Sequence, residues 1–193
     1  MKYSETIRSY FSESAEVFNS VAENNNENIE IAGVLCAETL NNGGKILLCG
    51  NGGSAGDSQH IAAELVVRLT SKLNRKALPA IALTVNTSVL TACANDYGFE
   101  KVFSRQVESL GKKDDVLIAI STSGNSKNVL EAVKIANEMN INTIAFLGGS
   151  GGIITDNANI SIVIPHSETG RIQEAHIAVG HLICQIVEKE LFG

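Results

Sequence analysis

Only two prolines interrupt the 193 residues, and no apolar run approaches the ~18 residues that a membrane-spanning helix needs. The N-terminus has no apolar stretch behind basic residues, so no signal peptide is expected. No Cys-x-x-Cys pair occurs. Cys36, Cys49, Cys93 and Cys184 are scattered, and the ordinary reading is buried, reduced thiols. A basic excess is also missing, with 15 Lys and Arg against 21 Asp and Glu, a net charge of −6. That balance argues against a general nucleic-acid binder. An anionic ligand would have to be held locally, by backbone N–H groups and hydroxyls. These absences describe a cytoplasmic protein without membrane or nucleic-acid partners.

The sequence is rich instead in glycine, 17 residues, and in apolar residues, 44%. Many Gly with few Pro suit a fold of tight strand-to-helix turns. Five short apolar runs stand at 45–50, 80–85, 115–120, 143–148 and 160–165. They do not alternate, which is the pattern of parallel strands covered on both faces. Helices are expected between most of them, at 54–70, 100–110, 126–139 and 168–190. The alternation predicts an α/β fold, a doubly wound five-stranded parallel sheet flanked by helices. Ahead of it, residues 1–23 carry an apolar stripe of Ile7, Phe11, Ala15, Phe18 and Ala22. A second helix runs from about Glu27 to Thr39, after Asn24-Asn25-Asn26. Residues 1–41 thus read as a helical hairpin added to one domain spanning 1–193. Its stripe needs a partner, so an oligomer interface is expected there.

Ligands of open parallel sheets bind beyond the C-terminal strand ends. The run at 115–120 leads into Ser121-Thr122-Ser123-Gly124-Asn125-Ser126 and then a helix. One hydroxyl would suffice to cap that helix. Four hydroxyls, a close-approach glycine and a helix N-terminus make a site for a phosphate dianion without Lys or Arg. The turn lacks the Gly-Lys-Ser/Thr ending of a Walker loop. The first strand ends in Asn51-Gly52-Gly53-Ser54, but its spacing is not that of a dinucleotide loop. No acidic residue closes the second strand, so a nicotinamide cofactor is not expected.

Asp57, His60, Glu64 and Arg68 follow at helical spacing along one face. His60 with Glu64 reads as an acid/base pair, as two metal ligands, or as a solvated polar face. Near the C-terminus, Gln173 and His181 lie about 12 Å apart along one helix. His176 points away from His181 and reads as a packed residue, and His166 as a loop residue. Asn95-Asp96-Tyr97-Gly98-Phe99-Glu100 forms a polar knot, readable as a turn with an N-cap.

Taken in order, CGNGGSAGDSQHIAAEL, LTACANDYGFE, STSGNS and RIQEAHIAVGH resemble the sugar isomerase (SIS) superfamily. Within it they are most similar to the branch acting on seven-carbon sugar phosphates, over nearly the whole chain. The resemblance implies conversion of sedoheptulose 7-phosphate to D-glycero-D-manno-heptose 7-phosphate, leading to nucleotide-activated heptose. It implies a homotetramer with active sites between subunits. Ser121, Thr122, Ser123 and Ser126 would hold the phosphate. Asn51, Gly52, Gly53, Ser54, Arg68, Asn95, Asp96 and Gln173 would line the substrate. Glu64 and His181 would transfer protons, and His60, Glu64, Gln173 and His181 would bind one zinc ion per subunit. Gly170 stands where relatives carry Asp, and Ala55-Gly56 replaces bulkier polar residues. The superfamily also holds other sugar-phosphate isomerases and a non-catalytic protein that associates with the replication initiator DnaA. That protein lacks the Glu and His found here at positions 64 and 181.

Overall fold

The computed structural model describes residues 2–193, so Met1 of the predicted first helix lies outside the described residues. Two helices come first, α1 (Ser4–Asn24) and α2 (Asn26–Asn41). They break at Asn25, whose buried side chain has a specific task. Its Nδ2 donates to the carbonyl of Val163 at 3.1 Å and its Oδ1 accepts the Val163 N–H at 3.2 Å. Asn28 donates to the carbonyl of Ser161 at 2.9 Å. The junction thereby satisfies the free edge of the last strand, which would otherwise be open to pairing.

The sheet contains β1 (Ile46–Gly50), β2 (Ala80–Ala82), β3 (Val116–Ser121), β4 (Asn142–Gly148) and β5 (Ile160–Ile164). Its order is β2-β1-β3-β4-β5, with every pair parallel. Alternate residues divide between two cores, as period-2 side chains must. Ile46, Leu48, Val116, Ile118, Ile144 and Phe146 face α1, α2, α3 (Gly53–Val66) and α7 (Thr169–Phe192). Leu47, Cys49, Leu117, Ala119, Ala145 and Leu147 face α4 (Thr87–Tyr97), α5 (Ser104–Leu110) and α6 (Lys127–Glu138). The continuous apolar runs are thus explained by burial on both sides. All four cysteines are buried and free, and burial pushes the Cys49 thiol up to about 12.

Four expectations need correction. The second strand covers three residues, because the chain turns at Leu83-Thr84. The segment 87–97 is a helix, capped by Asn86, whose Oδ1 accepts the Val89 N–H at 3.1 Å. Asn95-Asp96-Tyr97 is its last turn, and not a loop. The helix expected at 100–110 is split into a 3₁₀ turn, Phe99–Lys101, and α5. Finally, α3 stops at Val66, so Arg68 lies beyond the helix that was to carry it. Among the described residues, no helix is long and apolar enough to cross a membrane.

Candidate functional site

From β1 the chain goes outward to β2, and on the other side β1 pairs with β3. The switch point is therefore between β1 and β3, where ligands of such sheets collect. Gly50 and Ile120 are paired there, placing the turns 51–54 and 121–126 side by side.

The 121–126 turn is built closely. Gly124 has φ +64° and donates its N–H to the Ser121 carbonyl at 3.1 Å. A Cβ on Gly124 would run into the carbonyl of Gly151, so this position requires glycine on both counts. Asn125 Oδ1 accepts the Ile153 N–H at 3.1 Å, tying the turn to the 151–153 loop. Ser126 precedes α6 but makes no capping bond; its hydroxyl accepts from the buried Ser121 at 3.0 Å. The simple capping reading of these hydroxyls thus fails. The helix N-terminus keeps N–H groups and a partial positive charge for an anion.

The two turns are braced by a residue that no sequence signal marked. Asn51 and Asn128 exchange two side-chain hydrogen bonds, each 2.8 Å, and Asn128 is buried in the first turn of α6. Ser54 is buried in the first turn of α3, where its carbonyl accepts from Ser58 at 2.8 Å.

α7 runs alongside α3 in the same direction. The Gln173 amide lies over Gly53, at the start of α3, where a Cβ would strike it. One helix turn pair further, a Cβ at Gly180 would meet Ile61 Cδ1 at 2.5 Å. Glycine at 180 lets the two helices approach. His60 and His181 then meet with Nε2···Nε2 at 2.8 Å and ring centroids 5.0 Å apart. One imidazole donates and the other accepts. Glu64 Oε1 is 3.4 Å from His60 Nε2. Ligand atoms of His60, Glu64 and His181 all lie within 4.8 Å of one another. Gln173 is brought to the Gly-rich turn, two helix turns from that trio. Asp57, one turn before His60, has one buried carboxyl oxygen without a partner. Burial pushes its carboxyl up, opposed by the His60 ring.

Other candidates stay apart from these groups. Arg68 is exposed past the end of α3. Asn95 and Asp96 are exposed on α4 and bond to each other at 2.8 Å. His166 is a loop residue near Glu13, 3.7 Å away. His176 is buried, with Nε2 3.1 Å from the Leu147 carbonyl.

A hydroxyl-rich turn at the sheet switch point and an imidazole–carboxylate cluster on the helices that flank it are the features that define a class. The SIS domain profile matches residues 9–148, and the chain belongs to that family. Within it, the similar proteins are phosphoheptose isomerases. That of Chlorobaculum parvum is 50% identical over 188 residues, covering 97% of this chain and 90% of the relative. That of Clostridium acetobutylicum is 60% identical over 151 residues, covering 78% and 76%. The solved phosphoheptose isomerase of Neisseria gonorrhoeae aligns with TM-score 0.88 and 44% identity, over 96% of this chain and 98% of that one. That of Francisella tularensis gives 0.92 and 38%, over 98% and 100%.

Proposed function

We infer that the chain isomerises sedoheptulose 7-phosphate to D-glycero-D-manno-heptose 7-phosphate, supplying the sugar for nucleotide-activated heptose. The observation that carries this is a Glu64/His60/His181 cluster on α3 and α7, the two helices whose N-terminal ends meet at the Gly53 turn, itself side by side with the hydroxyl-lined tip of α6. In the reaction a proton leaves C1, an enediol forms, and a proton returns to C2. Glu64 serves as the base on carbon. His181 moves protons between O1 and O2. Ser121, Thr122, Ser123 and Ser126 hold the phosphate at the far end of the sugar, so binding there positions the reacting carbons. Asn51, Gly52, Gly53, Ser54 and Gln173 border the same opening.

The donor set fits zinc: two imidazole nitrogens and one carboxylate oxygen converge on helices, with an open side toward solvent. A carboxylate or imidazole held by the ion would be a weaker base, so Glu64 and His181 would act on the substrate when released from it. The resemblance assigns Gln173 as the fourth ligand; standing two helix turns from the trio in its own chain, it would be contributed from a neighbouring subunit. A bound zinc ion would supply Lewis-acid polarisation of the carbonyl. The homotetramer also belongs to this reading, supported by the exposed Ile7, Phe11 and Phe18 on α1. Arg68, Asn95 and Asp96 reach substrate in the assembly, since in one chain they stand apart. A cytoplasmic location fits the sugar-phosphate substrate.

Incubation with sedoheptulose 7-phosphate, with and without a chelator, tests the reading. Formation of the aldoheptose phosphate supports it, and no turnover with zinc restored would overturn it. Glu64→Gln is expected to abolish turnover while phosphate binding and folding persist. Activity within tenfold of the parent would remove Glu64 from the role.

A further inference from the structure

Arg75 sits in the segment between α3 and β2, and the motifs of the sequence do not include it. Its side chain is 1% exposed. Nη2 donates to the main-chain carbonyl of Glu64 at 2.7 Å, and Nη1 to that of Leu65 at 2.8 Å. Nε donates to Glu188 Oε1 at 2.8 Å. Glu188 is buried on α7, and the same carboxylate oxygen accepts the Leu69 N–H at 3.2 Å. The guanidinium therefore takes the Glu64 carbonyl, one of those a helix end leaves without an intrahelical partner, and shares that of Leu65 with the Leu78 N–H at 3.2 Å. It also places positive charge where the helix dipole favours it. Its planar fork addresses three carbonyls, the third that of Lys76 at 3.0 Å, and one carboxylate together, a geometry that a lysine ammonium does not reproduce.

The position of this latch matters more than its energy. One end holds the backbone of Glu64 itself. The other holds α7 two turns beyond His181. Side chains on a helix lean toward its N-terminus, so the Glu64 carboxylate rises from the pinned residue toward His60. Glu64 and His181 sit on different helices, and their separation depends on how α3 and α7 are locked. Gly180 sets the distance between the helices, whereas the Arg75–Glu188 pair fixes their register at the far end.

We propose that Arg75, through Glu188, is a positioning residue that holds Glu64 in register with His181 across the two helices. The proposal rests on the assignment of Glu64 and His181 given above. Residues that orient metal ligands from outside typically change metal affinity or activity 10- to 100-fold when altered. Misplacement by ~1 Å carries a similar cost in rate.

The test uses Arg75→Lys and Glu188→Gln in the full-length protein. Each is followed by kcat and KM, zinc affinity in competition with a chromophoric chelator, inorganic phosphate binding and thermal melting. Expected are cooperative melting, kcat lowered about tenfold or more, zinc affinity lowered about tenfold, and KM and phosphate affinity within threefold of the parent. A purely structural pair would lower Tm alone. Folded variants with kcat and zinc affinity within twofold of the parent overturn the proposal. So does an equal loss of phosphate binding, which would report general loosening. If Arg75→Lys fails to fold, Glu188→Gln decides; failure of both makes the pair a folding determinant and also overturns it. Glu64→Gln is run beside them. If that variant is active, the Glu64 assignment falls. If it is inactive while the two latch variants behave as the parent, only the positioning role falls.

Discussion

His176 is fully buried on α7, with one ring nitrogen against the Leu147 carbonyl and the other without a partner. Burial pushes its pKa down to about 4, only partly offset by that hydrogen bond. The folded protein thus prefers the neutral ring more than the unfolded chain does. The associated stability is fully present above the ordinary value near 6.5. It is lost progressively as pH falls toward 4, up to about 3 kcal/mol. Urea unfolding of the parent should steepen with acid between those limits relative to His176→Gln, which keeps an amide donor for Leu147. Parallel curves for the two proteins would contradict the assignment. At the phosphate turn, Ser121→Ala with Thr122→Ala should raise KM for the sugar phosphate about tenfold or more. Two neutral-to-charged hydrogen bonds of about 1.5–3 kcal/mol each are at stake. An unchanged KM would exclude that turn as the anchor.

At the scale of elements, α3 and α7 make the site, and glycine decides how closely they run. Adding a methyl at Gly180 forces Ile61, itself fully buried, to move; such overpacking costs about 1–3 kcal/mol. Gly180→Ala is expected to lower Tm and turnover together, in spite of alanine's better helix propensity. Gly170, in the first turn of the same helix, has open space around the same methyl. Gly170→Ala should therefore be neutral or stabilising, up to about 1 kcal/mol. Thermal melts of the two variants provide the comparison, and shifts of the same sign would refute it. The strands and the turn at 121–126 were legible in the sequence because burial on both faces leaves uninterrupted apolar runs, and four hydroxyls exceed what a cap needs. α4 was hidden because Thr87, Ser88, Val89 and Thr91 resist helix by propensity, and Asn95-Asp96 carries turn chemistry. The early end of α3 was invisible for another reason. The carbonyls at that end are met by Arg75, arriving from eleven residues beyond Glu64, a contact with no local signal. The partnership of Asn51 with Asn128, 77 residues apart, is of the same kind.

At the scale of the whole molecule, α1 is apolar on two sides. Ser14, Val17 and Val21 face the body, where Ser14 and Tyr10 meet Arg171 and Glu174 of α7. Ile7, Phe11 and Phe18 face outward, with Phe11 68% exposed. Beside Phe18 lies an apolar groove of about 330 Å³, bordered by Val21, Ile29, Leu182 and Ile186. A helix of this kind needs a second partner. The site needs one as well. The His60 side chain is 48% exposed, so one chain alone does not exclude water from the groups proposed to transfer protons. The same assembly would account for both, with the α1 stripes packed together and neighbouring subunits closing each site. Phe11→Ser with Phe18→Ser is therefore expected to give a smaller species by light scattering, with its far-UV circular dichroism retained and turnover lost at least a hundredfold, the loss attributed to an unclosed site. Retained oligomeric state would show that the stripe is not the interface. A fully active monomer would show that each chain completes its own site, and Arg68, Asn95 and Asp96 would then have no part in binding substrate.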